Sequence, residues 1–132
     1  MAIDPISSRY AQALFETAHA EGQLDQTLEQ LRALSQLMRA EPDLRQLLLN
    51  PDVEPEQKVA LLDRIFGGEW SGLVRSFVHL VVSFGRDVEL VDMVDALQEL
   101  VDAERGRLRV QVRSARPLAD ETLQRIRNRL EQ

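Results

Sequence analysis

Cysteine is absent from this chain of 132 residues, and histidine occurs only at His19 and His79. The first absence excludes disulfides, thiolate metal sites and cysteine nucleophiles, and it suits a reducing compartment. The second leaves little imidazole for metal-hydrolase or triad chemistry. Neither histidine has a carboxylate or a second histidine at ligand spacing within a recognisable motif, so both are expected at the surface, with no metal and no cofactor. Lysine occurs once, at Lys58, against 15 arginines, a bias read first as codon usage. No apolar run approaches the ~20 residues of a membrane span, so direct membrane insertion is not expected. The opening MAIDPISSRY has neither the basic nor the apolar region of a secretory signal.

What is present is 44% hydrophobic residues and a net charge of -6. That much apolar side chain argues for a packed core rather than a disordered polymer. The charge is uneven. Residues 1–104 carry 8 basic and 19 acidic side chains, whereas residues 105–132 carry 8 basic and 3 acidic. Such a sign change suggests a boundary near Gly106. The acidic body argues against nucleic acid as the main partner.

Punctuation cuts residues 1–105 into six helical pieces. Asp4 can cap a first helix with Pro5 at its first position, and Gly22 can stop it. Leu24, Leu28, Leu31, Leu34, Leu37 and Met38 then repeat at three-and-four spacing. Pro42 opens a short third piece, Asn50-Pro51 breaks it, and Pro55 opens a fourth that Gly67-Gly68 stops. The fifth runs from about Trp70 to Phe84 and ends at Gly85, predicted to be left-handed. The sixth starts at Asp87, as a cap, and closes at Gly106. Beyond it, Arg107-Leu108-Arg109-Val110-Gln111-Val112-Arg113 alternates as a half-buried strand does. Ser114 to Pro117 reads as a turn, and a final helix would present Leu123, Ile126 and Leu130. The expected fold is therefore all-α: a six-helix bundle as N-terminal domain (residues 1–105), followed by the first strand and helix of an incomplete α/β C-terminal domain (residues 106–132).

Helix five carries more apolar surface than one core needs. At 100° per residue, Leu73, Val74, Phe77, Val78, Leu80, Val81 and Phe84 cover roughly 160°, against a little over ~100° for a one-sided helix. Helix one shows two neighbouring stripes, Ala11, Leu14, Phe15 and Ala18 beside Ile6, Tyr10, Ala13 and Thr17. Two readings stand side by side. Either six short helices need wide faces to fill a common core, or the surplus on helices one and five forms a groove for an amphipathic helix of another protein. Acid pairs such as Glu54/Glu56 and Asp92/Asp95 read as solvated faces or first-turn charges. Arg107, Arg109 and Arg113 have no interleaved aromatic and read as a polar outer face rather than an RNA contact.

The order of pieces resembles a known family. SSRYAQALFETA, LLLNPDVEPEQKVALLDRIF, SFVHLVVSFGRDVELVDMVDAL (with Arg86) and GRLRVQVRSARPLADETLQRI (with Ser114-Ala115 and Pro117-Leu118) are similar, in that order, to segments of the delta subunit of F-type ATP synthases. That is the family of the mitochondrial oligomycin-sensitivity-conferring protein. The family's later Gly-rich signature is missing, so the chain resembles a C-terminally truncated form.

The resemblance implies a non-catalytic stator subunit of the peripheral stalk. It would couple proton-driven rotation to ATP synthesis from the cytoplasmic face of the bacterial inner membrane. It further implies that the first and fifth helices hold the N-terminal helix of the alpha subunit, and that the C-terminal domain meets the b subunits. Together with the apolar surplus, it points to Ile6, Tyr10 and Ala13 of helix one and to Phe77, Leu80, Val81 and Phe84 of helix five as the groove. The alternative function is a helical protein-protein adaptor of another assembly.

Overall fold

A computed structural model of the chain describes residues 4–131. From residue 113 onward it describes side chains only at Arg125, Arg127, Asn128 and Arg129. The chain divides into two units, Met1–Leu100 and Val101–Gln132. The helices are α1 (Pro5–Ala20), α2 (Leu24–Ala40), α3 (Pro42–Leu49), α4 (Pro55–Phe66) and α5 (Gly72–Ser83). A 3-10 turn over Asp87–Glu89 leads into α6 (Leu90–Glu131). Among the described residues there is no strand.

Local chemistry sets most helix ends. The Asp4 carboxylate accepts the Ile6 N–H at 3.2 Å, and Pro5 follows at the position where a missing N–H costs nothing. Ser71 caps α5 by accepting the Val74 N–H at 3.2 Å. Pro42 and Pro55 open α3 and α4. Gly22 and Gly85 close α1 and α5 with φ of 68° and 70°. After α5 the Gly85 N–H reaches Val82 O at 3.0 Å and the Arg86 N–H reaches Val81 O at 2.9 Å, which satisfies two carbonyls the helix would leave open. Arg86 also meets Glu89 Oε1 at 3.3 Å, a local role at the turn.

A Cβ on Gly85 would touch nothing within 4 Å, so any penalty for a side chain there is conformational. Gly85→Val is expected to lower stability by about 1–2 kcal/mol, the left-handed penalty of a residue with a Cβ. Urea unfolding of the variant reads this directly.

The core of the first unit is built around α5 and α2. Val74, Val78, Val81 and Val82 of α5 are buried, as are Leu28, Leu31, Leu34 and Met38 of α2. Helix α2 packs against α1, α3 and α5, and α4 packs against α5. Ala11 and Ala18, both fully buried, keep α1 thin where it meets the core. The start of α6 adds Leu90, Met93, Val94 and Leu97.

Four expectations are corrected. The strand over Arg107–Arg113 and the turn over Ser114–Pro117 are helical, and Gly106 lies inside α6 rather than closing it. The physical reason for residues 107–113 is that a lone strand has no neighbour to take its N–H and C=O groups, whereas a helix gives each of those N–H groups a carbonyl four residues earlier. Arginine, leucine and glutamine are also good helix formers. Leu108, Val110 and Val112 are consequently exposed rather than sharing a buried sheet face. The side chains of Arg113, Leu123, Ile126 and Leu130 lie outside the described residues. Asp87, finally, does not cap a helix. Its carboxylate is buried against Lys58, with Nζ to Oδ2 at 2.6 Å.

Candidate functional site

An apolar cleft of about 370 Å³ runs between α1 and α5. One wall is Tyr10, Ala13, Leu14 and Thr17, and the other is Leu73, Ser76, Phe77 and Leu80. Each set repeats at three-and-four spacing, so each is one side of a helix. The cleft is therefore a trough between two ladders of side chains. Its bottom is firm, since Leu14 and Phe77 are buried at 4% and 8% exposure. Its rim is open, with Ala13 and Thr17 exposed and Leu80 45% exposed. Small residues hold the α1 wall low at Ala13. The Thr17 hydroxyl donates to Ala13 O at 3.0 Å, so it makes no polar demand on an occupant.

Tyr10, Ala13, Phe77 and Leu80 thus line one cleft. Ile6 is half-buried further toward the start of α1 and is not part of the lining. Val81 is fully buried in the core, and Phe84, the residue that ends α5, is 62% exposed beyond the cleft. The reason for Val81 is angular. It follows Leu80 by about 100° around the helix, which turns it from the rim into the interior. Leu14, Thr17, Leu73 and Ser76 belong to the lining as well. Extending the three-and-four ladder by one step finds Thr17 from Ala13, Leu73 from Phe77 and Ser76 from Leu80.

A second cleft of about 450 Å³ lies between α4 and α5, where Glu56, Asp63, His79 and Ser83 share the lining with Pro55, Val59 and Ala60. Asp63 Oδ1 is shared by Arg75 Nε at 3.2 Å and His79 Nε2 at 3.4 Å. Burial pushes the Asp63 carboxyl up, but the hydrogen bonds and charges of Arg75 and His79 outweigh it and hold the group below its ordinary value. Here Asp63 is an acceptor that ties α4 to α5, not a proton donor. His19 stacks on Phe15 at 5.8 Å between ring centroids. Among the described residues no group of three His, Cys, Asp or Glu could hold a metal ion, and no helix is long and apolar enough to cross a membrane.

The profile of the ATP synthase delta (OSCP) subunit family matches residues 6–132. The ATP synthase subunit delta of Symbiobacterium thermophilum is 35% identical over 125 residues, covering 95% of this chain and 67% of that protein. Its counterpart in Rhodospirillum centenum is 35% identical, covering 97% and 69%. That of Methylobacterium radiotolerans is 34% identical, covering 92% and 65%. The chain spans about two thirds of the length of these relatives. In fold it is similar to a chain in a cryo-EM structure of the F1 head and rotor of Polytomella F-ATP synthase. The TM-score is 0.69 at 20% identity, over 80% of this chain and 93% of that one. The match to the profile along nearly its whole length, together with these relatives, shows that the chain belongs to the ATP synthase delta (OSCP) subunit family, non-catalytic peripheral-stalk components of the F-type ATP synthase.

Proposed function

We propose that the α1/α5 cleft holds the amphipathic N-terminal helix of an alpha subunit of the catalytic head. In this reading the chain joins that head to the b subunits of the peripheral stalk, on the cytoplasmic face of the bacterial inner membrane. As a stator part it resists the torque of the rotor, so that proton-driven rotation is coupled to ATP synthesis. The observation that carries the reading is the trough itself. Two facing ladders, Tyr10-Ala13-Thr17 and Leu73-Phe77-Leu80, leave an open apolar channel with a firm bottom. A helix with anchors at i, i+3, i+4 and i+7 fits such a channel by laying its apolar face into it. Nothing in the lining is charged, so the occupant's contacting face must be apolar and its charges must lie outward.

The test is calorimetric titration of the chain with a synthetic peptide of the alpha-subunit N-terminus. Ala13→Asp puts a carboxylate on the rim without touching the core. It is expected to weaken binding by about 1–3 kcal/mol, which is roughly 5- to 150-fold in the dissociation constant. A folded A13D variant that binds as tightly as the parent places the peptide elsewhere.

A further inference from the structure

A third hollow, of about 210 Å³, lies between α2 and the first turns of α6, both parts of the first unit. Its α2 wall is Arg32, Ser35, Gln36 and Arg39, one side of the helix at three-and-four spacing. Asp95 and Gln98 line it from α6. Ser35 is only 5% exposed, yet its hydroxyl makes no hydrogen bond among the described residues. It does not turn back to the carbonyl one turn earlier, as Thr17 does to Ala13. Burying a hydroxyl without a partner costs stability, and alanine would fill the same helix position without that cost.

Two guanidiniums flank this hydroxyl. Arg32 and Arg39 leave α2 seven residues apart, ~10.5 Å along the axis, and both line the hollow. Arg32 is exposed and makes no ion pair among the described residues. Arg39 meets Asp95 through Nη2 alone, at 3.3 Å to each carboxylate oxygen, which leaves its Nε and Nη1 to another acceptor. The exposed Gln36 amide adds donors at the rim. The lining thus sets two cations against one carboxylate, around a buried donor that has nothing to bond.

We propose that this hollow binds a small tetrahedral oxyanion of the phosphate class, held by Arg32 and Arg39 with the Ser35 hydroxyl donating to a further oxygen. A guanidinium matches the oxygens of such an ion with its fork of N–H groups. A carboxylate offers two oxygens, which the two guanidiniums occupy, whereas a phosphate keeps a third for the hydroxyl. The hollow is smaller than the ~300–1,000 Å³ of pockets for drug-sized ligands, so it suits an ion, or the phosphoryl end of a larger molecule. Asp95 is the resident competitor. It shares Arg39 with the arriving ion, and its charge opposes the ion's own.

NMR titration of the full chain with inorganic phosphate tests this, with chloride exchanged so that screening stays constant. Saturating shifts centred on the backbone amides of residues 32–39 and 94–98 are expected. R32Q is expected to weaken binding about tenfold, the loss of one hydrogen bond to a charged group, and S35A several-fold. D95N is expected to tighten it. E56Q, which removes an equal charge at the α4/α5 cleft, should leave it unchanged. Glycerol phosphate distinguishes the sources: an ester that binds at least as tightly as phosphate marks a site for a phosphoryl end, and one that binds more weakly marks a site for the free ion. Shifts that are absent, do not saturate or centre elsewhere overturn the proposal. So does a folded R32Q or S35A variant that binds as the parent does. Equal gains in affinity from D95N and E56Q also overturn it, because they show attraction to the whole chain's charge rather than to this hollow.

Discussion

Lys58→Met is expected to cost about 3–5 kcal/mol of stability, the loss that follows when one partner of a buried ion pair is removed. The Lys58 ammonium and Asp87 carboxylate are 2.6 Å apart, with each side chain only 7% exposed. The pair ties α4 to the 3-10 turn between α5 and α6. Without the ammonium, a carboxylate stays in the interior with no cation and little water. Replacing both residues at once, as in K58M/D87L, removes the stranded charge. Most of the loss is then expected to return, because a buried pair contributes little over an apolar pair of similar volume. Urea unfolding of the parent, the single variants and the double variant closes the cycle. A K58M variant within about 1 kcal/mol of the parent, a change ordinary for any substitution, would show that water reaches the pair.

Phe77→Ala is expected to cost about 3–5 kcal/mol, the usual loss for emptying a buried phenylalanine site, and to weaken helix-peptide binding in the same variant. Phe77 is 8% exposed, so it serves both the core and the bottom of the cleft. Leu80, one turn away in the same lining, is 45% exposed. Leu80→Ala should therefore lower peptide affinity while leaving the unfolding midpoint nearly unchanged. Urea unfolding paired with calorimetry on both variants distinguishes bottom from rim. Equal losses of stability in the two variants would mean that Leu80 is packed as core and that the cleft has no free wall there.

The contrast between these residues also shows why the site was only partly legible before the fold. The arc of apolar side chains on α5 is too wide for one core, and that excess is visible in residues 70–84 alone. Which edge of the arc faces outward is not. Leu80 and Val81 are adjacent, similar in character and both inside the arc. Leu80 is on the rim and Val81 fully buried only because of the side from which α2 and α4 pack against α5. Periodicity measures the width of an apolar face, while its orientation depends on neighbours far along the chain.

By itself the sequence determined the helices and most of their ends. Asp4-Pro5, Gly22, Pro42, Pro55, Ser71 and Gly85 act through bonds and dihedrals within a few residues, so no distant partner is needed to express them. The four ordered segments that carry the family resemblance were legible for the same reason. Tertiary structure alone decided the pairing of Lys58 with Asp87 across 29 residues, the partition of the α5 arc between core and cleft, and the state of residues 107–113. An alternating segment is a strand only where another strand accepts its backbone hydrogen bonds, and none is present among the described residues. The same residues therefore continue α6, where every interior amide finds its carbonyl within the segment.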